Sequence, residues 1–537
     1  GNRSFEKASP RFLRQGVFMS RRFALPDLFT ALPLSYKTAV LGFYLCQEEV
    51  MHNTLHKSVG ARLSAFGKIL LCLTTVFALS RIALPAAQVI RQFRAGAATS
   101  NITPWLGISS NGGMQDRVPQ HVHDELRARA LVLDDGQTRL ALVTVDSCMV
   151  PRQILDAAKK IVHQHTGLPI ENMLMSATHT HTAGTATPVF QSEADPEYQL
   201  FLTRKIADSV RIALNNLAPA RVGWGVGVVP QHVFNRRWKM KPGTIPSNPF
   251  GGIDQVKMNP PAGSPDLVEP AGATDPDLTV ISVRALDGRP MALLANYSLH
   301  YVGAGHFSAD YFGVFADRIQ QLLGADRQDP PFVGMLSNGT SGNINSVDFR
   351  QQRQADPAFA RMKSVANDVA AEALRVSSSL RYQDWLPLAA RQTEIELGVR
   401  RPTAEELERA RQTMSKAQGP AMRTLEEIYA RETVLISEYP SKVSVILQAL
   451  GIGDLAIAAI PCEVFVEIGL EIKKKSPFTT SFTTSLANGY NGYLPTPEHH
   501  RLGGYETWRA RSSYLEIEAS PRIVEQLLAL LQELRKK

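Results

Sequence analysis

The sequence predicts an α/β (α+β) fold: mixed β-sheets covered by helices in a single large domain, with the candidate chemistry at strand ends. Three observations carry this. Apolar β-type runs come in pairs around Asp135-Gly136, Asp287-Gly288 and Gly451-Ile-Gly453, where glycine supplies the positive φ that a hairpin needs. Segments with a 3.6-residue apolar period alternate with them. Finally, several of the apolar runs end in a side chain able to bind a metal, namely His179, His300 and Glu463.

Composition narrows the class. A chain of 537 residues that is 44% hydrophobic and 20% charged can bury a large core and is not disordered overall. Its formal charge of +8 is unevenly spread, for residues 1–100 hold 13 Lys/Arg against 4 Asp/Glu, and the remainder 45 against 46. The basicity belongs to the leader, which disfavours nucleic-acid binding by the folded part. Residues 69–80 form an apolar run preceded by Lys57, Arg62 and Lys68, the pattern of an export signal or anchor. It is shorter than the ~20 residues of a membrane span. The expected division is therefore an extension over 1–92 and a folded domain over 93–537, in a protein that is periplasmic, secreted or anchored through 69–80. Met51 would be a sensible start for such a signal. Cys46 and Cys72 lie in the leader; Cys148 and Cys462 are too few for a disulfide scaffold and read as small buried side chains.

In chain order, residues 93–104 read as a strand ending at a proline, followed by a loop through Gly112 and Gly113. The first hairpin spans 126–146. Residues 151–165 have helical spacing, with Ile154, Ala157, Ala158, Ile161 and Val162 on one face and Gly167 closing it. The strand 173–177 then runs into His179 and His181. In extended chain, residues i and i+2 point the same way, so both imidazoles could reach one cation, or one could bind while the other faces the reacting group. The competing reading is two surface histidines in a polar loop. Gly184 and Pro188 place that loop at a strand's carboxyl end, where open α/β sheets keep their sites. His121 and His123 form a second His-x-His with no apolar strand leading in, suited equally to a substrate-side loop or a plain surface.

A helix over 196–217 and a strand over 220–229 lead to Arg236, whose fork of donors suits a carbonyl or phosphate oxygen, or else a surface ion pair. Residues 239–276, rich in Pro, Gly, Asn and Asp, read as an irregular lid. The second hairpin, within 278–302, delivers His300. Two such His-bearing strands adjacent in one sheet would place both rings on one metal. A helix runs from 308 to about 323, and a strand over 331–336 ends in the small-residue loop 337–345. Ser341 is the obvious nucleophile there, but Gly-x-Ser-x-Gly is absent, and a tight turn is the better reading. Helices follow over 357–375, 403–417 and 424–437. A third strand pair, 443–450 and 455–460, runs into Glu463, a ligand, a base or a helix N-terminal acid. The helix 521–534 ends the chain.

Ser176-Ala-Thr-His-Thr-His181, Asn235-Arg236, Asn296-Tyr-Ser-Leu-His300, Pro461-Cys-Glu463, Tyr493 and Tyr505 occur in an order that resembles neutral, non-lysosomal ceramidases and their bacterial relatives. The resemblance covers the catalytic domain, from about residue 93 to the end. It implies one Zn2+ held by His179, His300, Glu463 and Tyr493, with His181, Arg236 and Tyr505 facing the substrate. It further implies hydrolysis of a small-molecule or lipid N-acyl amide, zinc bringing the pKa of its water to about 7, with a possible association with membrane surfaces. A tyrosine ligand is unusual for zinc, so Tyr493 rests on the resemblance alone. Asn345 stands where ceramidases carry a serine, and only residues 506–537 follow Tyr505, so that the family's immunoglobulin-like carboxyl-terminal domain has no counterpart. Alternatives are another ester or amide substrate on the same scaffold, a metal-independent serine hydrolase using Ser341, and an inactive binding protein.

Overall fold

The computed structural model describes residues 91–303, 305–352 and 356–536, so the apolar run at 69–80 lies outside the described residues. The chain opens with β1 (Arg94–Asn101) and the hairpin β2 (Arg127–Asp134) and β3 (Arg139–Val145). Its turn is made by Gly136 at φ 89°, while Asp135 Oδ1 accepts the amides of Gln137 and Thr138. Helix α1 (Arg152–Thr166) ends at Gly167, whose φ of 72° lets its amide reach His163 O. The buried face of α1 is Ile154, Leu155, Ala158, Lys159 and Val162, so Leu155 and Lys159 are deeper than the expected Ala157 and Ile161. Next come β4 (Met173–Ala177) and α2 (Pro196–Asn215), the helix capped by Asp195 with proline in its first turn.

β5 (Ala218–Val228) precedes the short β6 (Phe234–Asn235) and β7 (Arg237–Met240). The expected irregular lid holds two more strands, β8 (Val256–Met258) and β9 (Leu267–Pro270), which flank β7 in a three-stranded sheet. The hairpin β10 (Asp277–Ala285) and β11 (Pro290–Tyr297) leads to α3 (Asp310–Leu322), β12 (Val333–Asn338), β13 (Ile344–Asn345) and α4 (Ala360–Ser379). A second region contains β14 (Leu388–Gly398), α5 (Ala404–Ser415), α6 (Leu425–Ser437), β15 (Lys442–Ile452) and β16 (Leu455–Ala459). Thr403 and Thr424 start α5 and α6 with complete capping boxes. The turn between β15 and β16 falls at Gly453, φ 58°, and β15 runs through Gly451. The chain closes with β17 (Glu463–Val464), α7 (Val466–Lys475), β18 (Thr480–Thr484), β19 (Tyr493–Leu494), α8 (Pro497–Leu502) and α9 (Ala519–Arg535).

These elements pack as helix, sheet, sheet, helix. The larger sheet has eight strands in the order β12-β11-β10-β5-β1-β2-β3-β4, and the smaller has four, β14-β15-β16-β18. Leu133, Leu142, Leu294 and Met335 of the first meet Leu450, Ile457 and Phe482 of the second in one apolar layer. On the outer faces, α1 and α2 cover β1–β4, α3 and α4 cover β10–β12, and α9 with α7 covers the small sheet. The central strands thus have a helix or the other sheet on each face, which is why β3 and β16 are buried almost throughout. Among the described residues no helix is long and apolar enough to cross a membrane.

The sheet order corrects one expectation. β4 and β11, which lead to His179 and His300, are not neighbours; β4 is one edge and β11 lies next to the other. They meet because Ser485–Asn488, continuing from β18, runs between the two edges. Ser485 donates its amide to Asn338 O at the end of β12, Ala177 donates to Leu486 O, and Asn488 donates to Met175 O. β11 and β12 are a parallel pair, so these bonds gather the carboxyl ends of β4, β11 and β12 around this segment, which forms a common rim.

Candidate metal centre

Three side chains from three elements meet on that rim. His179 Nε2 lies 3.0 Å from His300 Nε2 and 3.2 Å from Glu463 Oε2. All three residues are buried. The other ring nitrogens are committed to backbone carbonyls: His179 Nδ1 to Cys148 O at 2.7 Å and His300 Nδ1 to Ser341 O at 3.1 Å. A carbonyl only accepts, so both Nδ1 atoms carry the proton and both Nε2 atoms present lone pairs. Glu463 Oε2 is buried and accepts no hydrogen bond among the described residues. Two lone pairs and a carboxylate oxygen therefore face one point, which requires positive charge there.

The geometry fits a metal ion. Tetrahedral donors at zinc's bond lengths stand about 3.3 Å apart, close to the 3.0 and 3.2 Å found here. A proton on His179 Nε2 satisfies one partner, whereas a divalent ion serves all three. The electrostatics show the same demand for positive charge: burial alone would lower His179, but the Glu463 carboxylate and Cys148 outweigh it and lift it to about 10, so that a proton takes the Nε2 position when no metal ion does. His300 is held well below the usual imidazole value by burial and by Arg236, and His181 by burial and by His179.

His181 joins the cluster by a route that the i, i+2 argument missed. β4 stops at Ala177, and His179 itself has φ 75°, a left-handed conformation rare for a side chain of this size. This kink, and not an extended strand, brings His181 Nε2 to 3.1 Å from His179 Nε2. The His181 ring stacks on Tyr301 at 3.6 Å between centroids, and Gly112 lies against its opposite edge, where a Cβ would come within 2.5 Å of Cγ. Its Nδ1 is buried without a hydrogen bond. The backbone after Tyr301 is anchored in turn, because Asp310 Oδ2 accepts the amides of Val302 and Gly303.

Arg236 sits between β6 and β7 with all three guanidinium nitrogens engaged and one Nη1 N–H left over. Nη1 lies 3.3 Å from His300 Nε2, Nη2 donates to Tyr493 OH at 3.1 Å and Gly342 O at 2.7 Å, and Nε donates to Glu506 at 3.0 Å. Glu506 also accepts from Arg237 Nη1 at 2.6 Å, and its own exposure is nil. Tyr493 is brought to Glu463 by the parallel pairing of β17 with β19, in which the two residues are partners. Tyr505 packs 5.8 Å from Tyr493 between ring centroids, beside Phe190 and Trp508. All seven predicted site residues thus fall in one neighbourhood.

Other candidates separate from it. His121 and His123 are exposed, the first edge-on to His306 and the second stacked on Phe359. Ser341 Oγ donates to Asn338 Oδ1, and what Ser341 offers His300 is its carbonyl. Asn345 donates to Asn259 of the 239–276 segment. Sequence reading missed Cys148, Tyr301, Tyr490 and Glu506. Cys148 contributes through its carbonyl, which no side-chain pattern signals. Tyr490 could have been found, since Asn488-Gly-Tyr490 repeats at once as Asn491-Gly-Tyr493.

Comparison with solved structures bears on the whole arrangement. A neutral ceramidase from Pseudomonas aeruginosa superposes with a TM-score of 0.64 at 16% identity, covering 83% of this chain and 75% of that one. A ceramidase complexed with C2 gives a TM-score of 0.63 at 15% identity, with the same coverage. The fold is that of neutral ceramidase. No family model matches the sequence, so the ceramidase-like fold is carried by the structure. The predicted mixed sheets covered by helices belong to that fold.

Proposed function

We propose that this chain is a zinc-dependent hydrolase of N-acyl amides of the ceramide type. The observation that carries the reading is the convergence of His179 Nε2, His300 Nε2 and the unpartnered Glu463 Oε2, with both imidazole protons already given to backbone carbonyls. These three residues would hold the ion, with Tyr493 as fourth ligand by the family resemblance. When bound, zinc supplies Lewis acidity, polarising a carbonyl oxygen and bringing the ionisation of water toward neutral pH.

The protein's own groups account for the rest of the reaction. Water adds to the acyl carbon, the C–N bond breaks, and the amine leaves with a proton. Arg236 is a buried cation whose charge is only partly offset, since Glu506 is shared with Arg237. It is placed to stabilise the negative charge that develops on the carbonyl oxygen. His181 is kept neutral near pH 7 by burial and by His179, and it is its Nε2 that faces the cluster, so it can take up a proton there and pass it to the leaving nitrogen. Tyr505, kept protonated by burial and by the Glu463 carboxylate, is a hydroxyl donor on the same side.

Phe190, Trp508 and Tyr429 line up beside Tyr505, and Phe250 of the lid segment packs on Tyr429. This aromatic cluster supports the apolar side of the site, where hydrocarbon chains of a lipid amide would lie. The basic, apolar leader supports an exported protein acting at a membrane surface. Elemental analysis of purified wild type and His179→Ala tests the reading. About one zinc per wild-type chain, absent from the variant, is expected, together with chelator-sensitive release of fatty acid from an N-acyl lipid. Wild-type protein that is metal-free and takes up no zinc would overturn it.

A further inference from the structure

Glu463 is gripped differently at its two oxygens. Oε2 faces His179 Nε2 without a hydrogen bond, while Oε1 accepts the hydroxyl of Tyr490 at 3.0 Å. We infer that Tyr490 is a positioning residue, which fixes Glu463 so that a single oxygen is offered to the metal. This rests on the reading of the site as a metal centre. A carboxylate can bind a cation through one oxygen or through both, and it can rotate between the two modes. A hydrogen bond to Oε1 sets the torsion and lowers that oxygen's availability.

The phenol is itself pre-set. Asn488, at φ 63°, gives its amide to Met175 O and its side-chain NH2 to Gln448 Oε1, and accepts from Lys159 Nζ. On the other side, Asn491 donates its amide to Pro461 O and its side chain to Tyr514 OH. Tyr490 is thus suspended between two anchored asparagines, one tied to the larger sheet and one to the chain entering Glu463. Among the described residues its hydroxyl makes no other hydrogen bond, so its polar contact there serves Glu463 alone.

The test is zinc affinity, measured on the full chain by competition with a chromophoric chelator, for wild type, Tyr490→Phe and Tyr490→Met. Loss of a hydrogen-bonded supporting group weakens metal binding about 10- to 100-fold, and at least tenfold weaker affinity is expected in both variants. Melting of the metal-free proteins is read alongside. A residue that positions the ligand leaves the metal-free Tm near wild type and shrinks the zinc-induced rise; a merely structural tyrosine does the reverse. Tyr490→Met covers the case in which Tyr490→Phe does not accumulate folded. Wild-type affinity in whichever variant folds overturns the inference while leaving the metal centre standing. A wild type that binds no zinc overturns both.

Discussion

Glu506 should be among the most costly carboxylates in the molecule to neutralise. It bridges Arg236 and Arg237 at 3.0 and 2.6 Å, and the three side chains are 0–5% exposed. Glu506→Gln keeps the shape but removes the charge, leaving two guanidiniums buried without a counterion. Breaking a buried pair by removing one partner costs about 3–5 kcal/mol. The lower figure is expected, because the amide oxygen still accepts one bond. Urea melts at pH 7 should show it as a midpoint lowered by about 1 M for a slope near 3 kcal/mol/M. The pH dependence gives an independent check. Burial pushes the Glu506 carboxyl up, but Arg237 and Arg236 outweigh this and hold it below the usual glutamate range. A depressed folded-state pKa contributes stability that is present above the unfolded value of about 4.3 and is lost as pH falls through the folded one. The gap between wild type and Glu506→Gln should therefore close below pH 4. A difference under about 1 kcal/mol at pH 7, or one unchanged at pH 3, would refute the argument.

Two further substitutions probe the surroundings. Lys159 is fully buried and its amine is lowered from 10.5 to about 8, chiefly by burial, with Asn488 Oδ1 as its partner. Lys159→Met should stabilise the protein by about 2 kcal/mol at pH 7, the ~3 kcal/mol relief of charging a buried amine less ~1 for the lost hydrogen bond. Between pH 8 and 10.5 the unfolded chain binds the extra proton, so wild-type stability rises with pH and the advantage of the variant should shrink in melts across that range. The Cys148 thiol lies 3.8 Å from His179 Nδ1, but that nitrogen is already bonded to the Cys148 carbonyl. Cys148→Ala should therefore keep zinc affinity within about twofold of wild type, and a zinc-free variant would make the thiol a ligand instead.

Much of the fold was legible because its signals are local. Asp135-Gly136 and Asp287-Gly288 mark hairpins by turn chemistry, and Gly167 ends α1 at a positive φ, each needing only a few residues to be read. The 239–276 segment was misjudged in part because β8 and β9 are only three and four residues long, with pairing supplied by β7. Sheet order was out of reach for a related reason. Nothing near β4 or β12 records that residues 485–488, some 150 to 300 positions later, hydrogen-bond to both edges.

The candidate site shows the same division between residue type and placement. An apolar strand ending in an imidazole or a carboxylate is visible in sequence, and it singled out His179, His300 and Glu463 individually. What joins them is long-range: Ser485–Asn488 between the sheet edges, the β17–β19 pairing that sets Tyr493 beside Glu463, and the carbonyls of Cys148 and Ser341. Those carbonyls matter most for the chemistry. By taking the Nδ1 protons they leave two imidazoles lone-pair to lone-pair at 3.0 Å, an arrangement unfavourable by itself and stable once a cation sits between them. The positive φ of His179 points the same way, since a left-handed backbone at a bulky residue persists where the surrounding structure over-determines it. Strain at His179 and the unpaired acceptor of Glu463 thus coincide at one site, as they would where the fold gives up local stability to hold an ion.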